Sequence, residues 1–427
     1  MQVAINRKDI KFLPDPSRVI ARFLYTTDQR AKNTILSVLN MSPNEATVSL
    51  NQALRDYSMR HRNISKVFER HYNKIAHLIP QLNIDPGSLS YSQKIIIGSY
   101  FTMEYSIESA AFFNPSIIEH PDQSEIGQGE KRVILSFRAT GEGHISSIVF
   151  RTGVLDKNNN LNIEPVGNML EEAEHSLKHA YNKDSFRVKL NEMQHFRDLI
   201  PPELILDRLN DTFTYNELKN CIEEAKTGLH LAEDKQLLFN QIIWLASSHY
   251  ELQFSLDTNI SERVIFPVSS NEKNGVEDAR FVKFTGDDGN LVYYATYTAY
   301  DGITILPKML DTTDFYHFRI LPLNGEIAKN KGMALFPRKI DGKYTMLCRL
   351  DGFNNYISFS DTINIWRKAK LLQEPKFPWE LIQIGNCGSP VETPEGWLVI
   401  THGVGPMREY VLGASLFDLQ NPEMEIG

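Results

Sequence analysis

The chain has 427 residues, 42% hydrophobic and 23% charged, proportions of a globular protein longer than one core normally sustains, so a large domain plus a smaller one is expected. Its net charge is −8 at pH 7 with Lys and Arg scattered, which excludes the basic face of a nucleic-acid binder and favours a small or neutral substrate. No apolar run approaches the ~18 residues of a membrane span, and charges and Pro interrupt MQVAINRKDIKFLPDP before a signal-length run, so a cytoplasmic protein is expected.

From about residue 28 to 105 the pattern is helical: Ile64, Val67, Phe68, Tyr72, Ile75, Leu78 and Ile79 recur three or four apart with few Gly or Pro. Residues 111–153 change to β-rich runs, AFFNPSII, RVILSFRATGEG and HISSIVFRTG, broken by Gly and polar turns. A second stretch of helical spacing, about 171–249, reads as an insertion. From Arg263 onward strand and turn dominate, and one unit recurs: LVYYATYTAYDG at 291, YTMLCRLDGFN at 344 and WLVITHGVG at 397, spaced about 53 residues apart. Each is an apolar strand ending in a polar cluster at a Gly turn, followed by another strand. That period is the signature of propeller blades. With the strands at 133–139 and 145–151 four blades are visible, and a fifth is split or built from less obvious segments. The expected organisation is a mainly β protein, with a helical N-terminal region over 1–108 and a propeller over 109–427 that carries the helical insertion.

Inner strands of propeller blades point their polar ends into a central funnel, so those ends hold the candidate site residues. They are Arg138, Glu142 and His144; Glu277, Asp278 and Arg280; Tyr300 and Asp301; Lys331; Arg349, Asp351 and Asn355; Glu392; and His402, Arg408 and Tyr410.

Six segments in order, FNPSII at 113, GVEDARFVKF at 275, YATYTAYDG at 294, NKGMALFPRKIDGKYTMLCR at 330, GSPVETPEGWLVITHGV at 388 and LGASLFDL at 412, resemble glycoside hydrolase family 130, the inverting mannoside phosphorylases and mannosidases. The resemblance spans about 113–420 and leaves the N-terminal helices and the insertion outside. It implies a five-bladed propeller that cleaves a non-reducing-end β-mannoside with inversion. Asp278 matches the family's proton donor, with Ala279 where the family carries Pro. Inversion needs an acid on the leaving-group side and a nucleophile on the opposite face. In a phosphorylase that nucleophile is inorganic phosphate, and a cationic pocket replaces the second carboxylate.

Lys331 and Arg349 match basic phosphate-binding positions of the family, and Tyr410 matches a phosphate-contacting Tyr. Two positions depart from the pattern: Glu392 stands where a Lys is expected, and Asn355 where a His is expected. A carboxylate beside a bound dianion is repulsive, and Arg408 is the candidate to offset it. The alternative is that Glu392 is a general base activating water, which would make an inverting β-mannosidase. Retention of Lys331 and Arg349 favours phosphorolysis to mannose 1-phosphate. Arg138, His144, Glu277, Arg280, Tyr300, Asp301, Asn355 and His402 are the expected sugar contacts.

Structural readings compete at several positions. Asp301 and Asp351 precede Gly and are natural turn formers; Trp366, Trp379 and Trp397 read as blade core. The three cysteines, Cys221, Cys348 and Cys387, are far apart and form no CxxC pair, so they read as reduced thiols. No nucleotide-binding, nucleophile-elbow or metal-spaced motif is present, and neither a cofactor nor a metal is expected. The expected partner is a small oligosaccharide, with no nucleic acid or membrane. The helical additions would shape the acceptor side of the funnel or make a homo-oligomer contact. A catalytically silent glycan-binding propeller is the reading from a different class.

Overall fold

Ser and Thr open three of the four N-terminal helices of this computed structural model, which describes residues 5–167, 169–177, 179–192, 202–226 and 233–427. Thr27 caps the Asp28–Leu39 helix, and Ser42 and Ser90 form capping boxes with Glu45 and Gln93 at the Pro43–Tyr57 and Tyr91–Tyr100 helices. Together with Ile64–Ile75 these helices bury Ile35, Leu50, Phe68, Tyr72, Ile75, Ile95 and Ile97 in one core. Gly98 lets two of them touch, because a methyl there would sit 1.9 Å from the Phe68 carbonyl oxygen. The helical stretch is bracketed by a two-stranded sheet, Val19–Phe23 against Thr102–Ser106. Arg18 then ties it to the β domain: Glu108, fully buried, accepts from Arg18 Nε at 2.8 Å and from Arg151 Nη2 at 2.8 and 2.9 Å.

The remainder is mainly β. Ala111–Glu119, Lys131–Thr140 and Ser146–Leu155 form an antiparallel meander. Gly275–Thr285, Leu291–Tyr300, Ile305–Thr312 and His317–Pro322 form another. The two are joined into one 12-stranded sheet, and Gly275 pairs with Ser146 in parallel at the junction. Only glycine fits there: φ is +138°, and a Cβ would lie 2.8 Å from the Ser146 nitrogen. Ala334–Leu335, Tyr344–Cys348, Asn355–Ser360 and Ala369–Gln373 make a four-stranded sheet. In the last sheet Gln383–Asn386 and Val391–Thr393 both pair with one side of Gly396–Val404, and Tyr410–Phe417 takes the other. The units at 291, 344 and 397 are therefore inner strands of three successive antiparallel groups. Trp366 and Trp397 are fully buried, and Trp397 meets Phe336 edge-on at 5.1 Å between the last two sheets.

The insertion begins differently from expectation. Glu171–Glu172 pairs in parallel with Arg263–Ile265, and Glu174–Ser176 pairs with Tyr250–Gln253, so its first residues are recruited to free sheet edges instead of helix. Open backbone groups at those edges outweigh local helical spacing. Helices follow at Lys183–Glu192, Glu203–Leu206, Tyr215–Lys226 and Glu233–Ser247 and share a separate core around Phe186, Leu206, Phe213, Ile222 and Ile242. Positions 178, 193–201 and 227–232 of the expected helical stretch lie outside the described residues. No helix among the described residues is long and apolar enough to cross a membrane.

Candidate active site

Two β-bulges build the acidic side of the site. The register of Gly275–Thr285 slips between Glu277 and Arg280, and that of Ala111–Glu119 slips between Phe113 and Ser116. Within the slips Asp278 (φ +57°) and Asn114 (φ +52°) adopt left-handed backbone, a conformation that Asn and Asp tolerate best among residues with a Cβ. Asn114 Nδ2 donates to Asp278 Oδ1 at 2.6 Å, and Arg138 Nη1 approaches the same oxygen at 3.3 Å. Arg138 also donates from Nη2 to Glu277 Oε1 at 2.7 Å and from Nε to Ser146 Oγ at 2.9 Å, with its guanidinium over the Phe113 ring. Glu277 is buried, and its other oxygen accepts from Lys331 Nζ at 2.5 Å. A single carboxylate thus holds both Arg138 and Lys331, while Asp278 stays partly open to solvent.

The cationic side pairs a residue of that same Gly275–Thr285 strand with one that follows the inner strand of the next sheet. Among the described residues Arg280, two residues beyond Asp278, reaches only one carbonyl oxygen, that of Asn386 at 3.4 Å. Arg349 lies beside it below Gly332, where an added Cβ would be 3.5 Å from Arg349 Cβ and 3.9 Å from Arg280 Nη1. The Arg349 Nε is buried without a hydrogen-bond partner among the described residues. Burial disfavours the charge of both guanidinium groups and pulls their pKa values down, and Asp278 opposes that effect in each. Two desolvated guanidinium groups with so few acceptors among the described residues have donors to spare for an anion.

His402 completes the cluster. Gln383 Nε2 lies 3.3 Å from its Nε2 and Cys387 Sγ 3.6 Å from its Nδ1, and its ring stacks on Tyr410 with centroids 5.9 Å apart. Burial first, then the positive charges of Arg280 and Arg349, push the imidazole down to about 4. His402 is therefore neutral at pH 7, and an anion between the arginines would raise its pKa. We expect its NMR titration midpoint near pH 4 in the free protein and a higher midpoint with orthophosphate present. A midpoint near 6.5 unmoved by phosphate would contradict this placement.

The structure brings together Arg138, Glu277, Asp278, Arg280, Lys331, Arg349, His402 and Tyr410 but disposes of the other expected residues differently. Glu392 is the main correction: it pairs with Arg338 through two guanidinium nitrogens, at 3.0 and 2.8 Å, and lies opposite Trp397. It is five residues of strand from His402, roughly 16 Å at the rise of an extended chain. It is not positioned to activate water at Asp278. Asn355 is fully buried and bonds Gln373 Oε1 at 3.1 Å, so it supports Asn386 from beneath and cannot meet a sugar. Asp301 caps its own turn through the backbone N–H groups of Ile303 and Thr304, and the Tyr300 hydroxyl donates to the Gly302 carbonyl. Asp351 likewise accepts from Phe353, Asn354 and Tyr356. His144 and Arg408 sit on exposed turns in left-handed backbone, where no contact joins their side chains to the cluster.

Three participants escaped the sequence reading. Asn114 lay inside the noted FNPSII segment, where its Asn-Pro step in a strand was the available signal for a bulge. Asn386 donates to the Gly332 carbonyl at 2.8 Å and braces the loop over the arginines. Cys387 carried no spacing signal at all. Among the described residues no group of three or more His, Cys, Asp or Glu could hold a metal ion.

The fold and site define the class first: a mainly β protein with one carboxylate set against a desolvated cationic pocket. The family profile of glycoside hydrolase family 130, described as β-1,4-mannooligosaccharide phosphorylase, matches residues 233–425, a little under half of the chain. A 1,2-β-oligomannan phosphorylase of Thermoanaerobacter sp. (strain X514) is 34% identical over 171 residues, 38% of this chain and 54% of the relative. A β-1,2-mannobiose phosphorylase of Listeria innocua is 29% identical over 188 residues, 42% of this chain and 50% of the relative. The chain spans about half the length of these curated relatives. Among solved structures, the complex of the Listeria innocua enzyme with β-1,2-mannobiose matches 74% of this chain and 75% of that chain at 19% identity and a TM-score of 0.37.

Proposed function

We propose that this protein is a cytoplasmic β-mannoside phosphorylase whose sheets are blades of a five-bladed propeller. The observation that carries the reading is the apposition of Asp278 to Arg280 and Arg349, two half-buried, partly desolvated guanidinium groups with unused hydrogen-bonding capacity facing a partly open carboxyl group. In this reading Asp278, protonated, delivers its proton to the glycosidic oxygen directly or through a sugar hydroxyl. The C1–O bond breaks as an oxygen of inorganic phosphate, held by Arg280 and Arg349 with His402 and Tyr410, forms the new bond to C1 on the opposite face. The products are a shortened oligosaccharide and α-mannose 1-phosphate. Lys331 and Arg138, locked on Glu277, contribute positive potential at the rim and orient the acid loop. The outward pairing of Glu392 with Arg338 removes the obvious general base and favours phosphate over water.

The relatives named as β-1,2-mannoside phosphorylases and the family profile described as β-1,4-mannooligosaccharide phosphorylase support an oligomannoside substrate with phosphate as co-substrate. Incubating the protein with β-1,2- and β-1,4-mannobiose, with and without orthophosphate, tests the reading. Mannose 1-phosphate should form only with phosphate. Free mannose released equally well without it would establish hydrolysis instead, and cleavage of neither sugar under either condition would defeat the mannoside assignment.

A further inference from the structure

We infer that Asn114 is a positioning residue for the acid, holding the Asp278 carboxyl group in its delivering orientation through the apposed left-handed bulges. The inference rests on the phosphorylase reading and deepens it.

Asp278 is in an unusual position for a strand residue. Its φ of +57° turns the side chain out of the pleat, and the opposing Asn114 does the same at +52°. Two adjacent bulges of this kind store strain in both strands, and such strain persists only where surrounding contacts over-determine it. Those contacts are present. Ser116 Oγ accepts from the Phe281 backbone N–H at 3.0 Å just beyond both bulges, and Phe113 packs under Arg138 just before them. Between these clamps Asn114 Nδ2 donates to Asp278 Oδ1 at 2.6 Å, the shorter of the two contacts to that oxygen.

The other charged neighbours of Asp278 pull elsewhere. Arg138 is shared with Glu277 and reaches Asp278 at only 3.3 Å; Lys331 is committed to Glu277; Arg280, Arg349 and His402 act on it through space from the anion side. None of these fixes the plane of the carboxyl group. The amide of Asn114 does, by occupying Oδ1 and leaving Oδ2 to carry and deliver the proton. The role therefore lies in the geometry of proton delivery. It should matter in proportion to how much the leaving group needs a proton.

Leaving-group dependence supplies the test. Asn114→Gly accommodates the left-handed backbone and deletes the whole side chain that carries the amide. Asn114→Asp keeps backbone and size but sets an oxygen against the carboxylate. On β-mannobiose, whose leaving sugar hydroxyl must be protonated, kcat/KM should fall about 30- to 100-fold in Asn114→Gly and further in Asn114→Asp, within the range that misplaced proton transfer costs. On p-nitrophenyl β-mannoside, whose leaving group departs unprotonated, the loss should stay within about threefold. Equal losses on the two substrates, or none on either, would overturn the positioning role while leaving the phosphorylase reading intact. A wild-type protein that cleaves neither substrate with phosphate would overturn both.

Discussion

Replacing Asp278 by Asn should lower kcat/KM for β-mannobiose phosphorolysis about 10²- to 10⁴-fold, the usual contribution of a positioned general acid. The substitution is clean for structural reasons. Asn tolerates the +57° backbone at this bulge nearly as well as Asp, and its amide oxygen can still accept from Asn114 and Arg138. The variant should fold with unchanged thermal stability and retain mannoside binding, because only the transferable proton is lost. The same variant addresses the alternative of a silent glycan-binding propeller: such a module would show no turnover to lose and an affinity unaffected by the change. Measured activity within threefold of wild type would remove Asp278 from the chemistry.

The second large effect concerns stability. Glu272 and Lys308 are both fully buried and paired at 2.7 Å. Glu272 also accepts from the Tyr250 and Tyr297 hydroxyls, each at 2.8 Å, and from the Ser269 N–H at 3.1 Å. Burial alone would raise the Glu272 carboxyl group, and the Lys308 charge with these donors overcomes it, leaving Glu272 below its ordinary range. Lys308→Met strands a buried carboxylate and should cost about 3–5 kcal/mol in chemical denaturation. The pH dependence has a definite sign. With the cation gone the folded-state pKa of Glu272 rises above its unfolded value, so the variant is least destabilised at low pH and loses stability as pH rises through the new value. Pairing Lys308→Met with Glu272→Gln should recover at least half of the loss, since the tyrosine and backbone donors keep an acceptor. A single variant as stable as wild type at pH 8 would show that the pair is not load-sharing in the core.

What could be read in the linear sequence followed from periodicity. The three units about 53 residues apart are inner strands of successive antiparallel groups, and the polar ends of the last two, Arg349 and His402, reach the cluster that holds Asp278, whereas Tyr300 and Asp301 at the end of the first are spent on their own turn. Residues whose neighbours lie far along the chain were not legible. Glu392 looked like a site residue until Arg338, 54 positions earlier, was seen to hold it. Asp301 and Asn355 fit a site by position in the repeat, but a turn and a buried amide network account for them. Asn114 faces Asp278 only because both strands slip register, and no local pattern announces two slips in apposition. Strand pairing at 171–176 depends on sheet edges contributed from beyond residue 249. In each case a long-range partner decided what the local residue type left open.

The anion pocket is the part of the account on which phosphorolysis depends, and the phosphate dependence of mannoside cleavage in Arg349→Gln measures it most directly. Arg349 brings a half-buried guanidinium with a buried, unused Nε to that pocket. Loss of charged hydrogen bonds of about 1.5–3 kcal/mol should raise KM for phosphate roughly 10- to 100-fold while KM for β-mannobiose moves little. A phosphate KM unchanged from wild type would place the nucleophile elsewhere and contradict the assignment.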